Sequence, residues 1–146
     1  MTATVTQAVE KAEAPGPGSL VAQYKQTWES VLPSNVRLDA FMRTAQGALR
    51  RGNRDARTGV FDLEQAAMND PGVFLAALLD AARQGLAPGT EEYYLTARKV
   101  KGKSQILGIT GYQGYIELMH RAGAVVSVVV EVVRENDKFV YQPGIH

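Results

Sequence analysis

Between Tyr93 and Gly123 the chain places two strand-like runs, Y-Y-L-T-A-R-K-V and S-Q-I-L-G-I, on either side of Lys101-Gly102-Lys103. The glycine-punctuated stretch I-T-G-Y-Q-G-Y-I-E-L-M-H-R-A-G overlaps and follows them. No other stretch restricts the fold as tightly. A glycine at the turn between two β-rich runs draws a hairpin. Thr110 then reads as the cap of a helix on which Tyr112, Tyr115, Ile116 and Met119 follow the i, i+3, i+4, i+7 rule, a spacing that assigns them to the core. Gln113, Glu117, His120 and Arg121 fall on the opposite face, and Gly123 ends the helix. The valine run from Val125 to Val133 favours a strand covered on both faces and so inside the sheet. Together these units predict a compact ββαβ piece.

Upstream, Met1 to Ser19 ends in P-G-P-G-S and is expected to be a disordered leader, leaving residues 20–146 as the folded core. Leu20, Tyr24, Trp28 and Leu32 recur four apart and draw an amphipathic helix stopped by Pro33. A second helix is expected from Val36 to Arg51, with Phe41, Ala45, Ala48 and Leu49 among its apolar positions and Gly52-Asn53 at its end. Asn69-Asp70-Pro71 marks a third start, with Asp70 as N-cap and Pro71 in the first turn. Phe74, Leu75, Leu78, Leu79, Ala81 and Ala82 share one side of that helix, and Gly85 is its left-handed stop. Beyond Arg134, E-N-D-K reads as a turn and Phe139-Val140-Tyr141 as the start of another strand. The fold class is α+β, with N-terminal helices packed on a small antiparallel sheet.

Composition narrows the chemistry. The formal net charge is +1, so any basic footprint must be local. With no cysteine, disulfides, thiolate nucleophiles and zinc-cysteine sites are excluded. The valine run is about half the roughly 20 residues a membrane-spanning helix needs. The first eighteen residues lack the charged start and apolar run of a secretory signal, and the expectation is a cytoplasmic protein. Glu91 and Glu92 would point to opposite faces of a strand, and His120 and His146 have no companions at ligand spacing, so neither acid-base catalysis nor metal binding is expected.

Gly108, Gly111 and Gly114 loosely resemble a phosphate-cradling turn, but neither the dinucleotide fingerprint nor the P-loop spacing is there. A tight strand-to-helix turn or close helix-on-sheet packing accounts for them better. Six arginines between Arg37 and Arg57 face only Asp39 and Asp55, a pattern equally compatible with a solvated helix face and a phosphate-facing one. From Arg98 to Arg121, five cations (Arg98, Lys99, Lys101, Lys103 and Arg121) stand against Glu117 alone, flanked by Tyr93, Tyr94, Tyr112 and Tyr115. Cations beside aromatic rings favour a single-stranded nucleic acid over a catalytic site. Charged hairpin tips also serve solubility.

The motifs G-L-A-P-G from Gly85, Tyr94-Leu95, I-T-G-Y-Q-G-Y-I-E-L from Ile109, Arg121-Ala122-Gly123 and E-V-V-R-E-N-D-K-F from Glu131 occur in order. At that spacing the chain resembles the RecT family of phage single-strand annealing proteins, over roughly residues 33 to 142. The resemblance implies a protein without an active site or cofactor. It would coat single-stranded DNA, anneal it through a duplex intermediate without ATP, and serve recombination and repair in a bacterial host. It further implies self-association into a ring or filament, beside a partner exonuclease and a host single-strand-binding protein. By position it makes Arg98, Lys99, Lys101 and Lys103, with Tyr112, Gln113 and Arg121, the DNA-groove candidates. Family members often carry a basic residue where this chain has Gln113. They also continue well past Gly144, so a truncated or naturally split member is expected. The alternative is a non-DNA-binding interaction module that modulates full-length oligomers.

Overall fold

In the computed structural model, which describes residues 16–123 and 125–140, the N-terminal half is helical: α1 (Pro17–Gln23), α2 (Lys25–Val31), α3 (Leu38–Ala48), α4 (Asp62–Asn69) and α5 (Pro71–Gln84). The hairpin β1 (Tyr93–Val100) and β2 (Lys103–Thr110) follows, and then α6 (Tyr112–Arg121). The fold is α+β. Helices α4 and α5 lie against the hairpin and on each other, α1 packs on α3 and α4, and α2 packs on α3 and α5.

The stripe of Leu20, Tyr24, Trp28 and Leu32 does not form one helix. The chain breaks at Tyr24 into α1 and α2, and the first begins at Pro17, inside the stretch expected to be leader; residues 1–15 lie outside the described residues. The break leaves Trp28 buried, with its Nε1 donating to the Val21 carbonyl at 2.8 Å and its ring 6.0 Å from that of Phe41. This indole ties α1, α2 and α3 together. On α3, Phe41, Ala45 and Ala48 are buried as their spacing predicts.

Helix α5 has both expected ends. Asp70 accepts the Val73 N–H at 3.1 Å, satisfying one of the orphan donors of the first turn, and Gly85 takes the left-handed conformation at φ 66°. Its buried face is Phe74, Ala77, Leu78, Ala81 and Ala82. The strands pair antiparallel in the register Tyr93↔Thr110 to Val100↔Lys103. Lys101 (φ 48°) and Gly102 (φ 81°) form a two-residue turn of the mirror-image kind that matches strand twist, so Lys103 belongs to β2.

Four expectations are corrected. The N-cap of α6 is Gly111, without a side-chain cap, and the Thr110 hydroxyl instead bonds to Gln84 Oε1 at 3.0 Å. The inward face of α6 is not its aromatic stripe: Gly114 is buried and Leu118 packs on the core, while Tyr112 and Tyr115 are 66% and 59% exposed. At Gly114 a Cβ would run into the Glu92 carbonyl oxygen, and at Gly111 into that of Glu91, so the helix approaches along its glycine edge. Bulky side chains would hold it off. The valine run is not a strand, because no described residue pairs with it; residues 125–140 form no helix or strand, and Val126 is 99% exposed. The core is therefore ββα. The E-N-D-K turn is present, closed by the Asp137 N–H on the Arg134 carbonyl at 2.9 Å, but Phe139 and Val140 start no strand, and Tyr141 lies outside the described residues.

Candidate nucleic-acid interface

Alternation along the hairpin decides where each candidate cation points. Tyr93 and Leu95 are buried, so β1 turns its odd-numbered side chains toward the helices, and Lys99 shares that face with Ser104 across the ladder. Arg98 belongs to the outer face together with Val100 and its partner Lys103. Lys101 stands at the turn. Four cations thus surround one hairpin tip, all exposed, and none forms a hydrogen bond or ion pair through its side chain. Among the described residues, ion pairs join only Arg37 and Arg43 to Asp39, and Arg121 to Glu117.

The tip is braced from below. Asn69 Nδ2 donates to the Ser104 carbonyl at 3.0 Å and Gln105 Nε2 to Asp70 Oδ2 at 2.8 Å, so the junction of α4 and α5 holds β2 just inside the turn. At the other end, the Tyr93 hydroxyl donates to Asp80 Oδ2 at 2.9 Å. Burial first, and then that carboxylate, push the phenol pKa well above its ordinary value.

The remaining candidates are elsewhere. Tyr112 and Gln113 begin α6 at the base of the hairpin, roughly 23 Å along the strands from the tip, with Gln113 Nε2 donating to the Tyr112 hydroxyl at 2.8 Å. Arg121 is committed to the fold: it donates to the carbonyls of Gln84 at 2.8 Å and Gly85 at 3.3 Å, and pairs with Glu117 at 3.2 Å. The seven candidates therefore divide into a cationic tip, an aromatic and amide base, and one arginine that caps α5. Exposure of Tyr112 and Tyr115 leaves both rings available for stacking, contrary to the core placement their spacing predicted.

A model of the RecT family matches residues 39–146. The chain belongs to the RecT family. Over 131 residues it is 27% identical to Protein RecT of Escherichia coli (strain K12), a match covering 83% of this chain and 43% of that protein. This RecT-family chain thus spans less than half the length of that relative. No solved structure gives a significant match.

The arginines of residues 37–57 divide by partner. In this RecT-family chain Arg37 and Arg43 pair with Asp39, Arg51 donates to the Gly89 carbonyl, and Arg54 Nε donates to the Gly59 carbonyl at 2.6 Å. The Arg50 and Arg57 side chains have no such partners. Residues 53–61 form a tight loop that sequence reasoning passed over, since its order rests on one carboxylate. Asp55 Oδ1 accepts the Thr58 N–H at 2.7 Å, the Thr58 hydroxyl at 3.0 Å and the Arg57 N–H at 2.9 Å. Those donors, the Thr58 N–H foremost, hold the Asp55 pKa below its usual range. An Asp three residues before a Thr was the available signal.

Among the described residues no helix is long and apolar enough to cross a membrane, and no group of side chains has metal-ligand geometry.

Proposed function

We propose that this chain binds single-stranded DNA and anneals it to a complementary strand without ATP, as part of phage-type homologous recombination in the bacterial cytoplasm, with residues 20–146 as the annealing core. The observation that carries this reading is the hairpin tip of a RecT-family chain: Arg98, Lys99, Lys101 and Lys103 in one place, with no carboxylate paired to any of them. Such a cluster neutralises backbone phosphates and releases their counterions without reading bases. Bases left unstacked then pair with a second strand by their own Watson–Crick rules, so the protein's part is positioning, and sequence tolerance follows. Tyr112 and Tyr115 offer stacking surfaces, each worth about 1 to 3 kcal/mol per base. Self-association would line up successive tips along a strand, and an exonuclease and a host single-strand-binding protein are the expected partners.

Fluorescence anisotropy with oligonucleotides of several sequences at low and high salt tests the reading. Binding should be sequence-independent and weaken steeply with salt. Replacing Lys99, Lys101 and Lys103 together by Ala should remove most of it, and salt-insensitive binding would contradict the mechanism.

A second reading has its own observation. Val100, Leu107 and Ile109 on the outer hairpin face, Tyr115 and Met119 on α6, and Val126, Val129, Val130, Val132 and Val133 are all exposed apolar surface. This favours an interaction module that joins longer relatives and modulates their oligomers. Co-purification with such a relative, in the absence of oligonucleotide binding, would select it.

A further inference from the structure

Beyond Tyr93 the β1 edge of the hairpin is open. The Tyr93 carbonyl accepts the Gly89 N–H at 2.7 Å on the side away from β2, and alternation along the ladder turns the N–H and C=O groups of Leu95, Ala97 and Lys99 to that same side. Among the described residues nothing bonds to them. Alongside runs a groove of about 350 Å³, lined by Ala48 and Leu63 from the helical side and by Leu95 and Ala97 of β1. We propose that this edge takes up the valine segment, residues 125–133, of a second copy of the chain as a third strand. The inference supplies a surface for the self-association expected above and does not depend on DNA binding.

Edge and segment have matching deficits. A row of unpaired backbone groups is a template for another strand, and Leu95, which contributes to that row, is itself buried. The valine segment is rich in β-branched residues that favour a strand, yet no described residue of its own copy pairs with it. Val126, Val130 and Val132 are 99%, 81% and 81% exposed. Fully extended, the segment spans about 30 Å, ample for the roughly 14 Å from Leu95 to Lys99.

Pattern and charge choose the register. In an extended segment Val126, Val128, Val130 and Val132 share one face, and Ser127, Val129 and Glu131 the other. The charged residues lining the groove are Asp62 and Arg51, and Arg51 is held by the Gly89 carbonyl, so the all-valine face belongs against Ala48, Leu63, Leu95 and Ala97. Glu131 then comes to the outer face beside Arg98. Both are exposed and neither has a side-chain partner. A slip by one residue would turn Glu131 to the side of Asp62, where like charges repel. Lys99, Lys101 and Lys103 stay uncompensated in this arrangement. Because donor segment and acceptor edge are different surfaces of one chain, each copy gives one strand and receives one, and the contact propagates head to tail.

The test is sedimentation velocity of the 146-residue chain without nucleic acid over a range of concentrations, read beside hydrogen exchange of the hairpin amides. The chain should associate, and the Leu95, Ala97 and Lys99 amides should gain protection as concentration rises. Val130→Lys/Val132→Lys should weaken association on the order of tenfold or more, since it places charge in the groove. Both valines are exposed, so the thermal unfolding of that variant should match the unaltered chain. Arg98→Glu and Glu131→Arg should each weaken association on the order of threefold to tenfold, and the two together should restore it. A chain that stays monomeric at every concentration overturns the proposal, as does association that the double lysine variant retains. Protection of the three amides independent of concentration would assign the edge to the chain's own segment and overturn the second copy as occupant. Lack of rescue by the charge exchange overturns the register. Oligonucleotide binding is measured separately: its absence with association intact would sink the DNA-binding reading and leave this one standing.

Discussion

Arg121 donates to the carbonyl oxygen of Gly85 at 3.3 Å, closing the C-terminal end of α5 with a side chain from the last turn of α6. The end of a helix carries partial negative charge and unpaired carbonyls, so a guanidinium there satisfies both. Arg121→Ala should therefore destabilise the fold by about 1 to 3 kcal/mol in urea unfolding while leaving the salt slope of oligonucleotide binding unchanged. A large fall in that slope with stability intact would return Arg121 to the interface.

Tyr93 makes stability sensitive to alkali. Its phenol pKa is raised in the fold, so its contribution is complete below the ordinary value of about 10 and is lost as pH rises through the folded value. Unfolding followed by circular dichroism should show a loss of stability starting above that pH, and a late phase of phenolate absorbance should vanish in Tyr93→Phe. The variant should also lose about 1 kcal/mol near neutrality, since Asp80 keeps only its Gln84 bond at 3.1 Å.

Gly114→Ala tests how closely α6 approaches the hairpin base. The added methyl would meet the Glu92 carbonyl oxygen and Leu86 Cδ1, so a loss of about 1 to 3 kcal/mol is expected by thermal or urea unfolding. Gly18→Ala, which meets nothing within 4 Å, is the control and should be close to neutral.

Tyr112→Ala and Tyr115→Ala separate stacking from packing. Both rings are largely exposed, so stability should change by less than about 0.5 kcal/mol. If bases stack on them, affinity for single strands should fall while the salt slope stays constant. Unchanged affinity in both variants would confine the interface to the hairpin tip and its surroundings.

What the sequence revealed depended on whether a residue's role was local. Asp70, Gly85 and the Lys101-Gly102 turn act through the backbone next to them, and their places were readable. The Arg51 and Arg121 side chains act through carbonyls far along the chain, and spacing cannot supply those. The face of α6 was misread for a related reason: periodicity counts bulky side chains, whereas Gly111 and Gly114 set the contact by their lack of one. Helix α4 went unnoticed because Asp62–Asn69 is short and its buried alanines give little contrast. The valine segment has strong β preference, yet a strand requires a partner, and none of the described residues pairs with it.

The braces from Asn69 and Asp70 to Ser104 and Gln105 have a mechanical consequence. They leave only a stub of hairpin overhanging its support, and a short cantilever bends little. The backbone from which the four cations extend is therefore a stiff platform completed during folding, and only the side chains themselves are left to adjust.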